Sequence, residues 1–345
     1  NILPPAWQRW WAITLYMLMS AFLSFIAYKH FRIKETQNLI IPKDTPVSEL
    51  ITKENPKSEL FNEDIQATPS DKSKWEKFET VTVLFSDIQG FTKIAEQMNP
   101  ETLIDELDTF FFHFDSVCEK YSIEKIKTIG DAYMAAGGIP KQNSTNPIEV
   151  VLAALEMQTY MKQLKNTRTD IWDLRIGIHS GPVIGGIIGH KKRSYDIWGD
   201  TVNTASRMES SGEPGKVNIS GLTHNLIKDF FICEYRGKLP VKYKGNIDMY
   251  FVKGLRPELS VNLGTLPDRI FSLKLQLLRL KDIEELVFRN LQTNLPDNYY
   301  YHSFDTIKLI YAHAGLLSKA ENLDIEGDMI IKTTILLLFS GLAIN

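Results

Sequence analysis

Residues 81–92 read VTVLFSDIQGFT. The stretch Thr80–Ser86 is β-branched and aromatic and predicts a short strand. It ends on an acid, Asp87, and Gly90-Phe91-Thr92 then leads into helical periodicity over Lys93–Gln97. A carboxylate at a strand end beside a glycine-containing loop suits a metal and a phosphate, because Mg²⁺ is usually held by one or two carboxylates plus phosphate oxygens. Backbone N–H groups of Gln89–Thr92 can receive phosphate oxygens where the chain enters the helix. Taken alone, an Asp in this position is more often a helix N-cap.

Outward from this stretch, strands and helices alternate. A helix is predicted over Pro100–Tyr121, with Pro100 in its first turn. Strands follow at Ile123–Thr128 and Asp131–Ala136, turned at Gly130, so a second acid, Asp131, stands at a hairpin turn. A helix over Pro147–Lys165 comes next, then a hairpin of Asp173–Ser180 and Val183–Ile188 turned at Gly181-Pro182. Tyr195–Trp198, Val217–Ser220, Phe231–Arg236 and Met249–Lys253 read as strands, and Thr201–Ser211 and Leu222–Asp229 as helices. The pattern indicates an α+β sheet with helices on one face. Phe110, Phe111, Phe112 and Phe114 crowd one helix and are expected to serve core and dimer packing.

The chain has 345 residues, which suggests two domains plus connecting pieces. Its formal net charge of −3 argues against a nucleic-acid binder, and 43% hydrophobic with 23% charged residues excludes wholesale disorder. Two cysteines, Cys118 and Cys233, cannot make a disulfide framework or a Cys-rich zinc site. WWAITLYMLMSAFLSFIAY, residues 10–28, carries no charge. At about 1.5 Å per residue it just crosses a hydrocarbon core of about 30 Å. Trp7, Trp10 and Trp11 mark one interface, and Lys29, His30, Arg32 and Lys34 place the C-terminal side in the cytoplasm. Residues 1–34 are therefore read as a transmembrane helix with its flanks, 35–77 as a proline-interrupted linker, 78–256 as the α+β domain and 257–345 as a helical module.

Four segments together are far more specific: VTVLFSDIQGFT (81–92), EKIKTIGDAYMAAGG (124–138), LRIGIHSGPVIGG (174–186) and YDIWGDTVNTASRME (195–209). In this order they closely resemble the class III nucleotidyl cyclase homology domain. The resemblance implies a ferredoxin-like core that works as a homodimer, with active sites built from both partners at the interface. It further implies ATP as substrate, 3′,5′-cyclic AMP and pyrophosphate as products, and two Mg²⁺ or Mn²⁺ ions per site.

Position by position, Asp87, Asp131 and the backbone carbonyl of Ile88 match the family's metal contacts. Gly90, Phe91 and Thr92 match its substrate-binding loop. Asn203 matches the residue that orients the ribose, and Arg207 the one that stabilises charge on the α-phosphoryl group. Arg175 and Lys242 match residues that grip the β- and γ-phosphates; Tyr243 stands where the family often has glycine, which leaves Lys244 as an alternative to Lys242. Lys127 and Asp196 match the base-reading pair. Lysine can donate to adenine N1, and a carboxylate can accept from the 6-amino group. Guanine reverses this pattern, and guanylate-selective relatives carry an acid and usually a cysteine at these positions. The metal aspartates and Arg175 would come from one subunit, and Lys127, Asp196, Asn203, Arg207 and Lys242 from the other. A guanylate cyclase and a non-catalytic nucleotide-binding signalling receptor are the alternatives.

After Leu255 the composition shifts to helical patterns at Ile270–Leu280, Ile283–Leu291 and Thr306–Lys319, with an apolar Ile330–Leu338 too short to span a bilayer. The tail is similar to the opening of an HD-type metal-dependent phosphohydrolase domain. His302 matches its first metal histidine, but Ser340-Gly341 follows Phe339 where the His-Asp dyad is expected. The tail is therefore read as a degenerate or truncated helical module.

Overall fold

The structure is a computed structural model, and it describes residues 75–168, 172–189, 193–241, 244–261, 264, 266–295 and 303–341. The apolar segment at 10–28, Lys242 and His302 lie outside these residues. Among the described residues no helix is long and apolar enough to cross a membrane.

The chain runs β1 (Trp75–Ile88), α1 (Phe91–Gln97), α2 (Pro100–Lys120), β2 (Glu124–Ile129), β3 (Ala132–Gly137), α3 (Asn146–Thr167), β4 (Leu174–Ile188), β5 (Ser194–Trp198) and α4 (Asp200–Ser210). It continues through β6 (Val217–Ser220), α5 (Gly221–Ile227), β7 (Phe231–Val241) and β8 (Gly245–Leu255). These strands form one eight-stranded sheet in the order β2-β3-β1-β4-β6-β8-β7, with β5 paired to β4. The β1-helix-β2-β3-helix-β4 sequence with β1 between β3 and β4 is the ferredoxin-like arrangement expected.

From Val81 to Ser86 every residue of β1 is buried, so this part of the strand is covered on both faces. Leu84 and Ile88 join the larger core with α2 and α3, where Phe114, Met157 and Ile176 are fully buried. Val83 and Phe85 point to the opposite face, into a second core with Met134, Val183, Ile197 and Ala205 of α4. Helices thus cover both faces, contrary to the expectation of one: α4 packs across β4 on the side away from α3. Gly177 makes this possible. A Cβ there would lie 1.8 Å from the Glu209 backbone nitrogen, so only glycine lets the helix come so close.

The predicted hairpin at Gly181-Pro182 is absent. β4 runs straight through both residues and pairs with β1 from Leu174 to Gly186. Pro182 costs no ladder hydrogen bond, because it lies opposite the irregularity between Phe78 and Val81 and between the β6 and β5 ladders. Pairing of Trp75 with Gly186 also starts β1 inside the stretch expected to be linker. The ribbon of β7 and β8 is longer than predicted, running out to Val241 and Gly245.

In the larger aromatic cluster Phe110 and Phe114 are buried, whereas Phe112 is 73% exposed. Cys118 is buried beside the Tyr133 hydroxyl.

Beyond β8, a short pair, β9 (Ser260–Val261) and β10 (Leu266–Pro267), precedes α6 (Arg269–Asn294), α7 (Phe304–Ala320) and α8 (Ile325–Ser340). The two helices expected over 270–291 are one, since no breaker separates them. The Asp268 carboxylate caps α6 by accepting from the Phe271 N–H at 2.8 Å. α6 is fastened to the core of the eight-stranded sheet at its first turns. Phe271 is 2% exposed and stands edge-on to Phe230 at 5.3 Å. Further along, Arg279 pairs with the buried Glu149 at 2.8 Å, and Asp282 accepts from the Ser144 N–H at 2.9 Å. A small separate core of Leu291, Ile307 and Phe339 holds α6, α7 and α8 together.

Candidate active site

β1 and β4 run antiparallel with Asp87 directly opposite Arg175. Their side chains meet: Arg175 Nη2 donates to Asp87 Oδ2 at 2.7 Å. Asp131 enters from the β2–β3 turn, where Gly130 takes a left-handed φ of 64°. Its Oδ2 accepts from the Ile88 N–H at 3.3 Å, which ties the turn to the end of β1. Asp87, Ile88, Asp131 and Arg175 are thus brought together from separated segments, two of them acids.

The electrostatics of this cluster follow from crowding. Burial and then the neighbouring Asp87 charge push the Asp131 carboxyl up to about 6, while the Ile88 N–H bond works the other way. Two carboxylates held this near each other favour a cation between them. Arg175 supplies one positive charge, and a divalent ion bound by both acids and nucleotide phosphates is the chemistry the donor set fits. Among the described residues no group of three or more His, Cys, Asp or Glu side chains makes a self-contained metal cage.

Beside the acids, Gly90 adopts a left-handed φ of 73° and starts α1. Gly90 and Thr92 are exposed, while Phe91 packs edge-on to Trp172 at 6.3 Å. The loop is therefore anchored by an aromatic contact and open at its polar positions.

A second group lies on β2, β5 and α4. Lys127 Nζ donates to Asp196 Oδ2 at 2.5 Å, and Asp196 Oδ1 accepts from the Ile197 N–H at 2.9 Å. Asp196 is 7% exposed and Lys127 remains exposed, so the pair presents its donor at a rim. Asn203 and Arg207 both face outward from α4, one turn apart, and neither side chain has a partner among the described residues. No hydrogen bond or ion pair among the described residues joins this second group to Asp87 and Asp131. Lys244, the alternative to Lys242, is ion-paired with Asp200 at the start of α4.

Sequence reasoning missed Glu209. It is 8% exposed, and its Oε1 lies 2.9 Å from Arg175 Nη2. Burial holds its carboxyl above the usual value; Arg175 pulls it down, and Asp87 and Asp131 push it up. The only signal available was its place as the last residue of the segment 195–209.

A ferredoxin-like scaffold with one acid near the end of its first strand and another in its β2–β3 turn suits metal-dependent chemistry on a nucleotide. Residues 73–254, just over half the chain, match the model of the adenylate and guanylate cyclase catalytic domain, and the chain belongs to that family. Human guanylyl cyclase C is 40% identical over 199 residues, covering 56% of this chain and 18% of its own. An adenylate cyclase of Mycobacterium tuberculosis (strain ATCC 25618 / H37Rv) is 36% identical over 179 residues, covering 52% and 40%. The chain thus spans well under two thirds of these relatives. Among solved structures, the guanylate cyclase domain of RhGC from Catenaria anguillulae in complex with GTP is 34% identical with a TM-score of 0.51, covering 52% of this chain and 100% of its own. The adenylyl cyclase CyaB from P. aeruginosa is 31% identical with a TM-score of 0.51, covering 55% and 100%. Relatives of both base preferences are therefore present at similar identity.

Proposed function

We propose that this protein is an adenylate cyclase that converts ATP to 3′,5′-cyclic AMP and pyrophosphate at sites shared between two copies of the chain. The observation that carries the base preference is the Lys127–Asp196 pair. A lysine donates only and an ionised carboxylate accepts only. Set against adenine, they complement N1 and the 6-amino group; guanine in the same pose would meet donor with donor and acceptor with acceptor. A polar mismatch of this kind discriminates strongly once the nucleotide is enclosed by the second copy.

In the reaction the ribose 3′-oxygen attacks the α-phosphorus in line, and pyrophosphate leaves. Asn203 orients the ribose, and Arg207 meets the charge that grows on the α-phosphoryl oxygens. Arg175, with Lys242, holds the outer phosphates, and Gly90–Thr92 offers backbone N–H groups to them. Asp87, Asp131 and the Ile88 carbonyl hold two Mg²⁺ or Mn²⁺ ions, which when bound supply positive charge to the reacting oxygens. Asn203 and Arg207 are exposed and without side-chain partners among the described residues, which supports a site completed by a second copy.

The charge-free stretch 10–28 and its basic flank support anchoring in a membrane with the cyclase domain on the cytoplasmic side. Extraction of membranes at alkaline pH tests this, because an anchored chain stays with the lipid. The activity itself is tested with purified protein, Mn²⁺, and ATP or GTP, following cyclic nucleotide and pyrophosphate. Cyclic AMP from ATP supports the reading. Preference for GTP moves it to the guanylate alternative, and binding without turnover moves it to a nucleotide receptor.

A further inference from the structure

Glu209 is built into the site by a close approach of backbone to backbone. Arg175 and Gly177 are two apart on β4 and share a face. The missing Cβ of Gly177 lets α4 drop against that face at Glu209, and the Glu209 carboxylate then reaches Arg175. A single nitrogen, Nη2, lies 2.7 Å from Asp87 Oδ2 and 2.9 Å from Glu209 Oε1. Arg175 is the only ion-pair partner of Glu209 among the described residues. The remaining Glu209 oxygen, Oε2, accepts from the Ser210 hydroxyl at 3.2 Å. A carboxylate taken this far out of water is costly unless a cation faces it.

We propose that Glu209 is the positioning residue of Arg175: it retains the guanidinium beside the acidic cluster once Asp87 is committed to a divalent cation, and so keeps Arg175 aimed at the outer phosphates. The inference rests on the reading of Arg175 as a phosphate contact. Its physics is a competition. A cation arriving at Asp87 removes the negative charge that Arg175 leans on and adds a like charge beside it. With Glu209 present, the guanidinium shifts its weight to a second carboxylate that is already in contact. Without it, Arg175 either clings to Asp87 and opposes the cation or swings away from the phosphates. Glu209 itself touches neither nucleotide nor ion in this account.

The test uses the full chain with Glu209→Gln, Glu209→Asp, Arg175→Met and the Glu209→Gln/Arg175→Met double variant. Three affinities are measured: Mn²⁺ without nucleotide, pyrophosphate with Mn²⁺, and AMP, which has no outer phosphates. Loss of one charge-assisted contact predicts that Glu209→Gln weakens pyrophosphate about tenfold while AMP changes less than about twofold. Mn²⁺ binding without nucleotide also weakens, by severalfold. Arg175→Met weakens pyrophosphate by a similar factor, and the double variant is no worse than Arg175→Met alone. Glu209→Asp keeps the charge but shortens its reach, so it falls between; it replaces Glu209→Gln as the reporter if the amide variant does not fold. Wild-type pyrophosphate affinity in Glu209→Gln, with a loss in Arg175→Met, overturns the proposal and leaves the cyclase reading standing. Wild-type affinity in both variants removes the phosphate role of Arg175 itself. Equal weakening of AMP and pyrophosphate shows a general distortion and also overturns the proposal.

Discussion

Lys127 of β2 and Asp196 of β5 are 69 residues apart in sequence and meet at 2.5 Å. Each fixes the other before a base arrives, so the donor and acceptor are already placed relative to each other. Replacing them together by the residues of guanylate-selective relatives, Lys127→Glu with Asp196→Cys, should invert the preference. ATP turnover is expected to fall about a hundredfold or more and GTP turnover to rise, read as kcat/KM for each nucleotide.

Sites shared between copies predict complementation. Asp87→Ala and Asn203→Ala proteins are each expected to be inactive. Mixed in equal amounts, they form heterodimers with one intact site, and random pairing should restore about a quarter of wild-type activity. A mixture that stays inactive while both proteins remain folded and dimeric contradicts the shared site.

The contact at Gly177 predicts a stability defect. Gly177→Ala places a methyl group where the Glu209 backbone already is, so β4 and α4 must separate. The expected cost is about 3 kcal/mol or more, seen as a lower denaturation midpoint. Asn203 and Arg207 ride on the displaced helix, so activity should fall further than the lost stability accounts for.

Acid sensitivity should trace in part to His179. It is 7% exposed, its Nδ1 lies 2.7 Å from the Ser220 hydroxyl, and burial followed by the Lys244 charge lowers its pKa from 6.5 to about 4. The folded state therefore holds fewer protons than the unfolded chain between these values. This contribution is complete above about pH 6.5 and is lost as pH falls toward 4. His179→Gln should flatten the fall of unfolding free energy across that window, measured by denaturant titration at several pH values.

Phe271 ties α6 to the core below the sheet. Phe271→Ala should cost about 3–5 kcal/mol through a cavity against Phe230, lowering the melting temperature without changing base preference.

Much of this architecture was legible because the strong signals were local. The β-branched and aromatic run of Thr80–Ser86 marked β1, and Gly130 with Asp131 marked the β2–β3 turn. Gly181-Pro182 misled because both residues favour turns. Their extended conformation depends on the partner strands that leave Pro182 with no ladder bond to lose. The outer β7–β8 ribbon was hidden because its polar and glycine-containing sequence leaves only Leu239 and Ile247 to mark the face that packs against Met208 and Met249. Placement of α4 on the far face could not be read from Thr201–Ser211 alone, since the decisive space is the absent side chain of Gly177. Glu209 followed the same logic: its partner is 34 residues earlier and becomes visible only when that helix is seated.

The docking of Phe271 has a consequence for where this protein can be cut. The match to the cyclase family model ends at residue 254, yet the hydrophobic interior goes on to claim a side chain from the following helix. A shuffling event or a cloning boundary placed at the end of the shared region would leave Phe230 facing solvent. The unit that can be inherited or transplanted whole is longer than the unit that ancestry outlines, and its last few turns belong to both neighbours at once.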